Sequence, residues 1–247
     1  MNPSDPLPLT HRDAMALQRD ELARTLALLA ELSPDEWAAQ TECPAWDVRR
    51  MYLHVLGACE GGASLKEQMH QMRAARRTQK AQGGPLEAAL SAVQVSERES
   101  LGSGELVERL RAIAPRTVKQ RSSLPGFVRN GVRMKVDGPV VERWKLGYLV
   151  DTIYLRDLWM HRVDACRATG RPIELTAEHD GRIVADVVQE WARRHGRPYS
   201  LELTGPAGGE WTAGDGGPTL RLDAVEFCRT LGGRAAGEGL LATIVPF

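Results

Sequence analysis

Three side chains on two predicted helices have the types and the spacing of a metal centre. Asp157 and His161 are four residues apart, so on one α-helix they point the same way from successive turns. Such a pair can hold a divalent ion, and His54 on a second predicted helix would supply a third ligand. Two histidines and one carboxylate leave positions for water or substrate, which is typical of catalytic rather than structural sites.

The same residues have a simpler explanation, which the sequence leaves open. Burying a carboxylate and an imidazole without partners is costly, and a structural hydrogen bond between Asp157 and His161 would also satisfy both groups. Asp164, one turn beyond His161, is a candidate to orient that ring from outside the ligand set, or else a solvent-facing residue. His11 is expected to lie in a mobile N-terminus. The other three histidines are expected on the surface: His70, His179 and His195.

Hydrophobic periodicity places both halves of this site on helices. Leucines recur every three or four residues within 13–32, and the segment 47–60 has an apolar face bordered by His54. The strongest helical pattern is that of 139–168, which carries the aspartate–histidine pair. Residues 111–135 contain seven basic and no acidic side chains together with prolines and glycines, which predicts mostly loop.

The pattern of the chain changes after about residue 170. A helix capped by Thr176 is followed by short alternating stretches with the turn residues of a sheet. The predicted strands are 200–204, 210–212 and 219–222. We therefore predict a helical domain over residues 1–170 and a small α+β domain over 171–247.

Composition narrows the class of protein. Lys and Arg total 32, as do Asp and Glu, and the zero formal net charge argues against a general nucleic-acid binder. No run reaches the ~18 apolar residues of a membrane span, and residues 1–12 lack the apolar core of a signal peptide, so a cytoplasmic protein is expected. The cysteines form no disulfide framework or CxxC motif, and none is placed as a nucleophile: Cys43, Cys59, Cys166 and Cys228.

Three stretches of the sequence carry more specific motifs. The first is Thr41–Arg49 (TECPAWDVR) followed by His54, the second is Arg156–Asp164 (RDLWMHRVD), and the third comprises LDAVEFC, GR and GLLAT within 222–243. Together they resemble the DinB-like metal-binding bundles, and most closely the mycothiol-dependent maleylpyruvate isomerase family. The resemblance covers nearly the whole chain. It implies a four-helix bundle followed by an α+β domain related to sterol-carrier proteins.

The resemblance also implies roles for single residues. His54, Asp157 and His161 fall on the three metal-ligand positions of the family, and Arg234 falls on an arginine linked to activity. The family often has glutamate where this chain has Asp157, and the shorter aspartate would change where the metal sits or how tightly it binds. Members use mycothiol, a thiol of actinobacteria, and transfer or add its sulfur to an electrophile. A divalent ion deprotonates a bound thiol. Zinc is the favoured metal, although a site of two histidines and one carboxylate also accepts nickel, iron or manganese.

These observations predict a metal-dependent, mycothiol-using isomerase or S-transferase that acts on a small electrophilic substrate. Two alternatives use the same ligands. One is a non-catalytic metal- or small-ligand-binding protein with a stress or regulatory role, and the other is a hydrolase in which the metal activates water. The expected partners are the electrophile and the thiol cofactor, with no nucleic acid and no membrane.

Overall fold

The computed structural model describes residues 9–137 and 141–247. The described chain divides into two compact units, one of them His11–Arg171 and the other containing Pro172–Phe247. The first unit is mainly helical, and the second combines helices with a three-stranded sheet. Among the residues described, no helix is long and apolar enough to cross a membrane.

Four long helices of the first unit form a bundle. The helices of this unit are α1 (His11–Ala30), α2 (Pro34–Trp37), α3 (Val48–Ala63), α4 (Leu65–Gln82), α5 (Leu86–Ser96), α6 (Ser103–Ser122), α7 (Gly126–Gly131), α8 (Leu146–Tyr148) and α9 (Tyr154–Thr169). Around the bundle, α1 packs on α6, α6 on α3, α3 on α9 and α9 on α1. The paired helices α4 and α5 both pack on α3 from outside this ring.

Local sequence signals begin two of these helices. Ser33 and Glu36 form a capping box at the start of α2, in which each side chain accepts a hydrogen bond from the backbone N–H of the other residue. Asp47 caps α3, because its carboxylate accepts a hydrogen bond of 2.7 Å from the backbone N–H of Arg50. This cap begins the helix that carries His54, and the helix continues through two glycines to Ala63.

The prediction that residues 111–135 are mostly loop is wrong, because α6 extends to Ser122, α7 follows it and a strand begins at Arg133. Helix α6 continues to Ser122 with Pro115 inside it, although an internal proline costs ~3 kcal/mol by removing a backbone hydrogen bond. Four apolar side chains spaced four residues apart compensate, since all lie in the core of the bundle: Leu106, Leu110, Ala114 and Val118. Tertiary burial of this stripe therefore overrides the local breaker and the basic composition.

The predicted helix 139–168 begins later than expected. A hairpin of β1 (Arg133–Val136) and β2 (Glu142–Lys145) occupies the segment before α8, and residue 139 itself lies outside the described residues. The backbone N–H of Leu146 donates to Val132 O at 2.9 Å, so a hydrogen bond to the chain before the hairpin marks the start of the helical segment. A π-helical turn, Leu149–Ile153, joins α8 to α9, and the aspartate–histidine pair lies beyond it on regular helix.

The second unit has the predicted α+β composition. Its elements are a π-helical turn (Ala177–Gly181), α10 (Arg182–His195), β3 (Tyr199–Thr204), β4 (Gly209–Ala213), β5 (Thr219–Asp223), α11 (Ala224–Leu231) and a 3-10 turn (Gly239–Ala242). Strand β3 is central, antiparallel to β4 and parallel to β5. Trp191 meets both Tyr199 and Phe227 edge to face in the core of this unit. The predicted fold class, a helical bundle followed by an α+β region, is confirmed.

Candidate metal centre

The three predicted ligands lie on neighbouring helices of the bundle, and the structure brings them together. His54 lies near the middle of α3, and Asp157 and His161 lie one turn apart on α9. Each offers a ligand atom within 4.8 Å of those of the other two. His161 is buried, whereas His54 and Asp157 are partly exposed, so solvent reaches the cluster through these two residues.

The distances between these atoms fit ligands of one ion. His161 Nε2 lies 3.3 Å from Asp157 Oδ1, and His54 Nε2 lies 3.9 Å from Asp157 Oδ2. Bonds from zinc to nitrogen or oxygen measure ~2.0–2.2 Å, so two ligands of one ion are at most about 4.2 Å apart and about 3.4 Å apart at a tetrahedral angle. Both distances lie below the upper limit, and the distance between His161 and Asp157 is close to the tetrahedral value.

The hydrogen bonding of His161 supports a metal rather than a structural Asp–His hydrogen bond. Neither ring nitrogen has a hydrogen-bond partner among the described residues, although only 7% of the side chain is exposed. The Asp157 oxygen near Nε2 lies outside hydrogen-bonding geometry, and Asp164 Oδ2 lies 3.7 Å from Nδ1, beyond hydrogen-bonding distance. A buried imidazole without partners is costly, and a metal on Nε2 would satisfy that nitrogen.

The two carboxylates strongly affect the charge of His161. Burial alone would lower the pKa of His161, but the carboxylate of Asp157, assisted by that of Asp164, raises it to about 9. Burial likewise favours the neutral form of Asp157, yet His161 and then His54 hold its pKa well below the usual value. The metal-free cluster is therefore an ionised carboxylate between two imidazoles, and a metal entering it displaces a proton from His161.

Trp46 covers the two imidazoles. Its ring stacks on His54 with centroids 5.1 Å apart and planes at 26°, and it meets the ring of His161 at 6.4 Å and 61°. Hydrogen bonds fix the loop that carries it, since Thr41 Oγ1 donates to Trp46 O at 2.7 Å and Gln40 Nε2 donates to the same oxygen at 2.9 Å. An indole in this position excludes water from one side of the rings.

Sequence reasoning missed one polar neighbour of the cluster. Gln94 on α5 is 4% exposed, and its Oε1 lies 2.8 Å from His54 Nδ1. A single glutamine inside an apolar helix belongs to no motif, so only the packing of α5 on α3 reveals the contact. Trp46, in contrast, belongs to the TECPAWDVR motif, which was a usable signal.

Two expectations about the other histidines were wrong. His11 is not part of a mobile terminus, because it begins α1 and its Nδ1 lies 2.7 Å from Asp151 Oδ1. His179 is buried rather than on the surface.

Arg234, the remaining predicted site residue, lies in the second unit, after α11. Its backbone N–H donates to Arg229 O at 2.9 Å.

The four cysteines are free thiols. Cys59, Cys166 and Cys228 are buried, and Cys43 is partly exposed. Burial raises the pKa of Cys59, with only partial compensation by the charge of Arg121, and burial also raises the pKa of Cys166. These two buried thiols are therefore poor nucleophiles.

Comparison with known proteins identifies relatives of this architecture. The family model for the mycothiol maleylpyruvate isomerase N-terminal domain matches residues 18–166. Two crystal structures have a similar fold, those of the mycothiol-dependent maleylpyruvate isomerase and of a histidine-to-alanine mutant of that protein. Each gives a TM-score of 0.57 at 13% sequence identity and covers 92% of this chain and 91% of the other. No curated relative matches significantly in sequence.

Proposed function

Because the chain belongs to the family of the mycothiol maleylpyruvate isomerase N-terminal domain, we propose that it is a mycothiol-using isomerase with a divalent metal in its bundle. His54, Asp157 and His161 hold this metal. The observation that carries the proposal is the convergence of these three ligand atoms within 4.8 Å, on two helices of the region that the family model matches.

The residues of the chain fit the demands of such a metal. Two imidazoles and one carboxylate are a donor set that zinc and other first-row ions accept, and they leave coordination positions for substrate. Bound there, a divalent metal lowers the pKa of a thiol and polarises a carbonyl group. Asp157 offsets part of the positive charge, and the ring of Trp46 shields the imidazoles from water.

The reacting sulfur comes from the cofactor rather than from the chain. Burial raises the pKa of both Cys59 and Cys166, so neither supplies a thiolate at neutral pH. Mycothiol is the thiol named for the family and for the crystal structures of similar fold. We assign it as the cofactor, with a small electrophile that has an activated double bond as the substrate.

Two further residues have proposed roles in the function. Asp164, whose Oδ2 faces Nδ1 of His161 at 3.7 Å, orients that ring through its negative charge. Arg234 follows two glycines in the second unit and binds a carboxylate of the substrate or the polar part of mycothiol. Zinc is the proposed ion, since tetrahedral sites with histidine and carboxylate ligands are typical of it.

An assay with and without mycothiol tests this function. The zinc-loaded protein is mixed with maleylpyruvate and other unsaturated diacids, and both the isomeric product and the free thiol are followed. We expect isomer to form without net loss of thiol. His54→Ala and His161→Ala should each lower turnover more than about 100-fold, because changes outside the ligand shell alone cost 10–100-fold.

The control and the other outcomes separate the alternatives. His70 is exposed and pairs with Glu97, so His70→Ala should leave turnover unchanged. Net consumption of thiol would indicate an S-transferase, and activity without any thiol would indicate a hydrolase. Stoichiometric metal with no turnover on any electrophile would favour the non-catalytic binding protein over the isomerase.

A further inference from the structure

A chain of buried side-chain amides lies behind His54, on the side away from Asp157. His54 Nδ1 lies 2.8 Å from Gln94 Oε1, and Gln94 Nε2 donates to Gln71 Oε1 at 3.0 Å. Gln71 Nε2 donates in turn to Gly57 O at 2.9 Å and to Glu67 Oε1 at 2.8 Å. Both glutamines are at least 96% buried, so these bonds are not exchanged with bulk water.

The two groups at the far end of this series of amides, Gly57 O and Glu67, determine the direction of every hydrogen bond in the series. A backbone carbonyl and an ionised carboxylate only accept hydrogen bonds, so the group of Gln71 that faces Gly57 and Glu67 must be its NH2. Gln71 then presents its oxygen to Gln94, and Gln94 must answer with its own NH2. The oxygen of Gln94 consequently faces His54 Nδ1, which must carry a hydrogen to donate to it.

Glu67 stays ionised because of its neighbours. Burial raises the pKa of Glu67, but the hydrogen bond from Gln71 and the guanidinium of Arg98 together hold it below the usual value. Arg98 Nη2 lies 2.9 Å from Glu67 Oε1, and the same arginine, 5% exposed, also pairs with Glu60. The charge of Glu67, which anchors this series of amides, is thus stabilised by an ion pair with a buried arginine.

We propose that Gln94, itself oriented by Gln71, is the positioning residue that fixes the tautomer of His54. The hydrogen lies on Nδ1, and the lone pair of Nε2 is directed towards Asp157, where the metal binds. The inference rests on the proposed function, because the tautomer matters only if His54 is a ligand. The opposite tautomer would place two acceptors 2.8 Å apart, or require both glutamines to turn and face Gly57 O and Glu67 with their oxygens. Asp157 Oδ2 lies 3.9 Å from Nε2, beyond hydrogen-bonding distance, so it does not require a hydrogen on that nitrogen.

Long-range proton–nitrogen NMR of the histidine rings tests the tautomer in the metal-free protein, at a pH at which His54 is neutral. We expect wild type to carry the hydrogen on Nδ1. Gln94→Met removes the acceptor and should give a mixture of tautomers and about 10- to 100-fold weaker Zn²⁺ binding in competition with a chelator.

Two further variants separate positioning from folding. Gln71→Met leaves every atom of Gln94 in place but frees its amide to turn, so it should also give mixed tautomers. Gln68 is exposed on the same helix, and Gln68→Met should change nothing. If Gln94→Met does not fold, Gln71→Met still decides the outcome, because mixed tautomers in it support the inference and an unchanged tautomer overturns it.

The outcomes are distinct from those that test the proposed function. A hydrogen on Nε2 in wild type would overturn the inference, as would Gln94→Met with unchanged tautomer and unchanged Zn²⁺ affinity. Wild-type protein that binds no divalent metal would instead overturn the proposed function, whatever the tautomer of His54.

Discussion

At the scale of single residues, the cluster is a site where protons and a metal compete. His161 has a pKa of about 9 in the metal-free fold against 6.5 when unfolded, so its stabilising contribution is complete below pH 6.5 and is lost as pH rises through 9. Asp157 has a lowered pKa, so its contribution is present above its usual 3.8 and is lost only in acid. The metal-free pair is therefore most stabilising between pH 3.8 and 6.5, and it loses stabilisation both in stronger acid and at alkaline pH.

This competition predicts how metal affinity depends on pH. A metal must displace the proton of His161, so Zn²⁺ affinity should rise nearly tenfold per unit between about pH 6 and 8 and level off near the pKa. Titration against a chelator of known affinity at several pH values measures the slope. An affinity that does not change over this range would contradict the assignment of His161 as a ligand.

At the scale of helices and strands, sequence patterns predicted those features that depend only on residues near each other in the chain. The spacing of Asp157 and His161 holds because both lie on regular helix, and the caps at Ser33 and Asp47 act within four residues. Helix α6 and the β1–β2 hairpin were missed because their stability depends on distant chain. Pro115 is tolerated only since its helix buries an apolar stripe in the bundle, which no window of local sequence shows.

The contact between α3 and α5 depends on a glycine. A Cβ at Gly57 would lie 2.7 Å from Gln94 Cβ and 2.8 Å from its Cγ, and these atoms are close to the backbone of α5 and cannot easily move. Gly57→Ala should therefore destabilise the protein by about 1–3 kcal/mol through overpacking, despite the better helix propensity of alanine. It should also weaken Zn²⁺ binding, because it displaces Gln94 from His54. Chemical denaturation and chelator competition measure the two effects.

A second helical glycine provides the matched control. Nothing lies within 4 Å of a Cβ built at Gly104 in α6, so Gly104→Ala should be neutral or slightly stabilising and should leave metal affinity unchanged. Equal effects of the two substitutions would argue against close packing at Gly57.

At the scale of the whole molecule, the residues with proposed roles lie in two different units. All three proposed ligands lie in His11–Arg171, whereas Arg234 lies in the unit that contains Pro172–Phe247. The resemblance of short motifs indicated this division of roles, but spacing and composition alone did not indicate a role for Arg234. We propose that the bundle binds the metal and that Arg234 of the second unit binds the substrate or the cofactor.

Arg234→Ala separates these roles. We expect unchanged Zn²⁺ content, because no proposed ligand is altered, and a loss of about tenfold or more in kcat/KM for mycothiol-dependent isomerisation, because a guanidinium contact to substrate or cofactor is lost. Arg193 is exposed in the same unit, and Arg193→Ala serves as the control with wild-type kinetics. Loss of metal in Arg234→Ala, or kinetics equal to those of wild type, would contradict the assigned role.

The central claim is that His54, Asp157 and His161 hold one metal ion. Metal analysis of the purified chain after incubation with Zn²⁺ and gel filtration tests it most directly, with His54→Ala, His161→Ala and the control His70→Ala alongside. We predict one ion per chain in wild type and in His70→Ala, and less than about a tenth of that in the other two variants. No stoichiometric metal in wild type, or full metal content in His54→Ala and His161→Ala, would contradict the account.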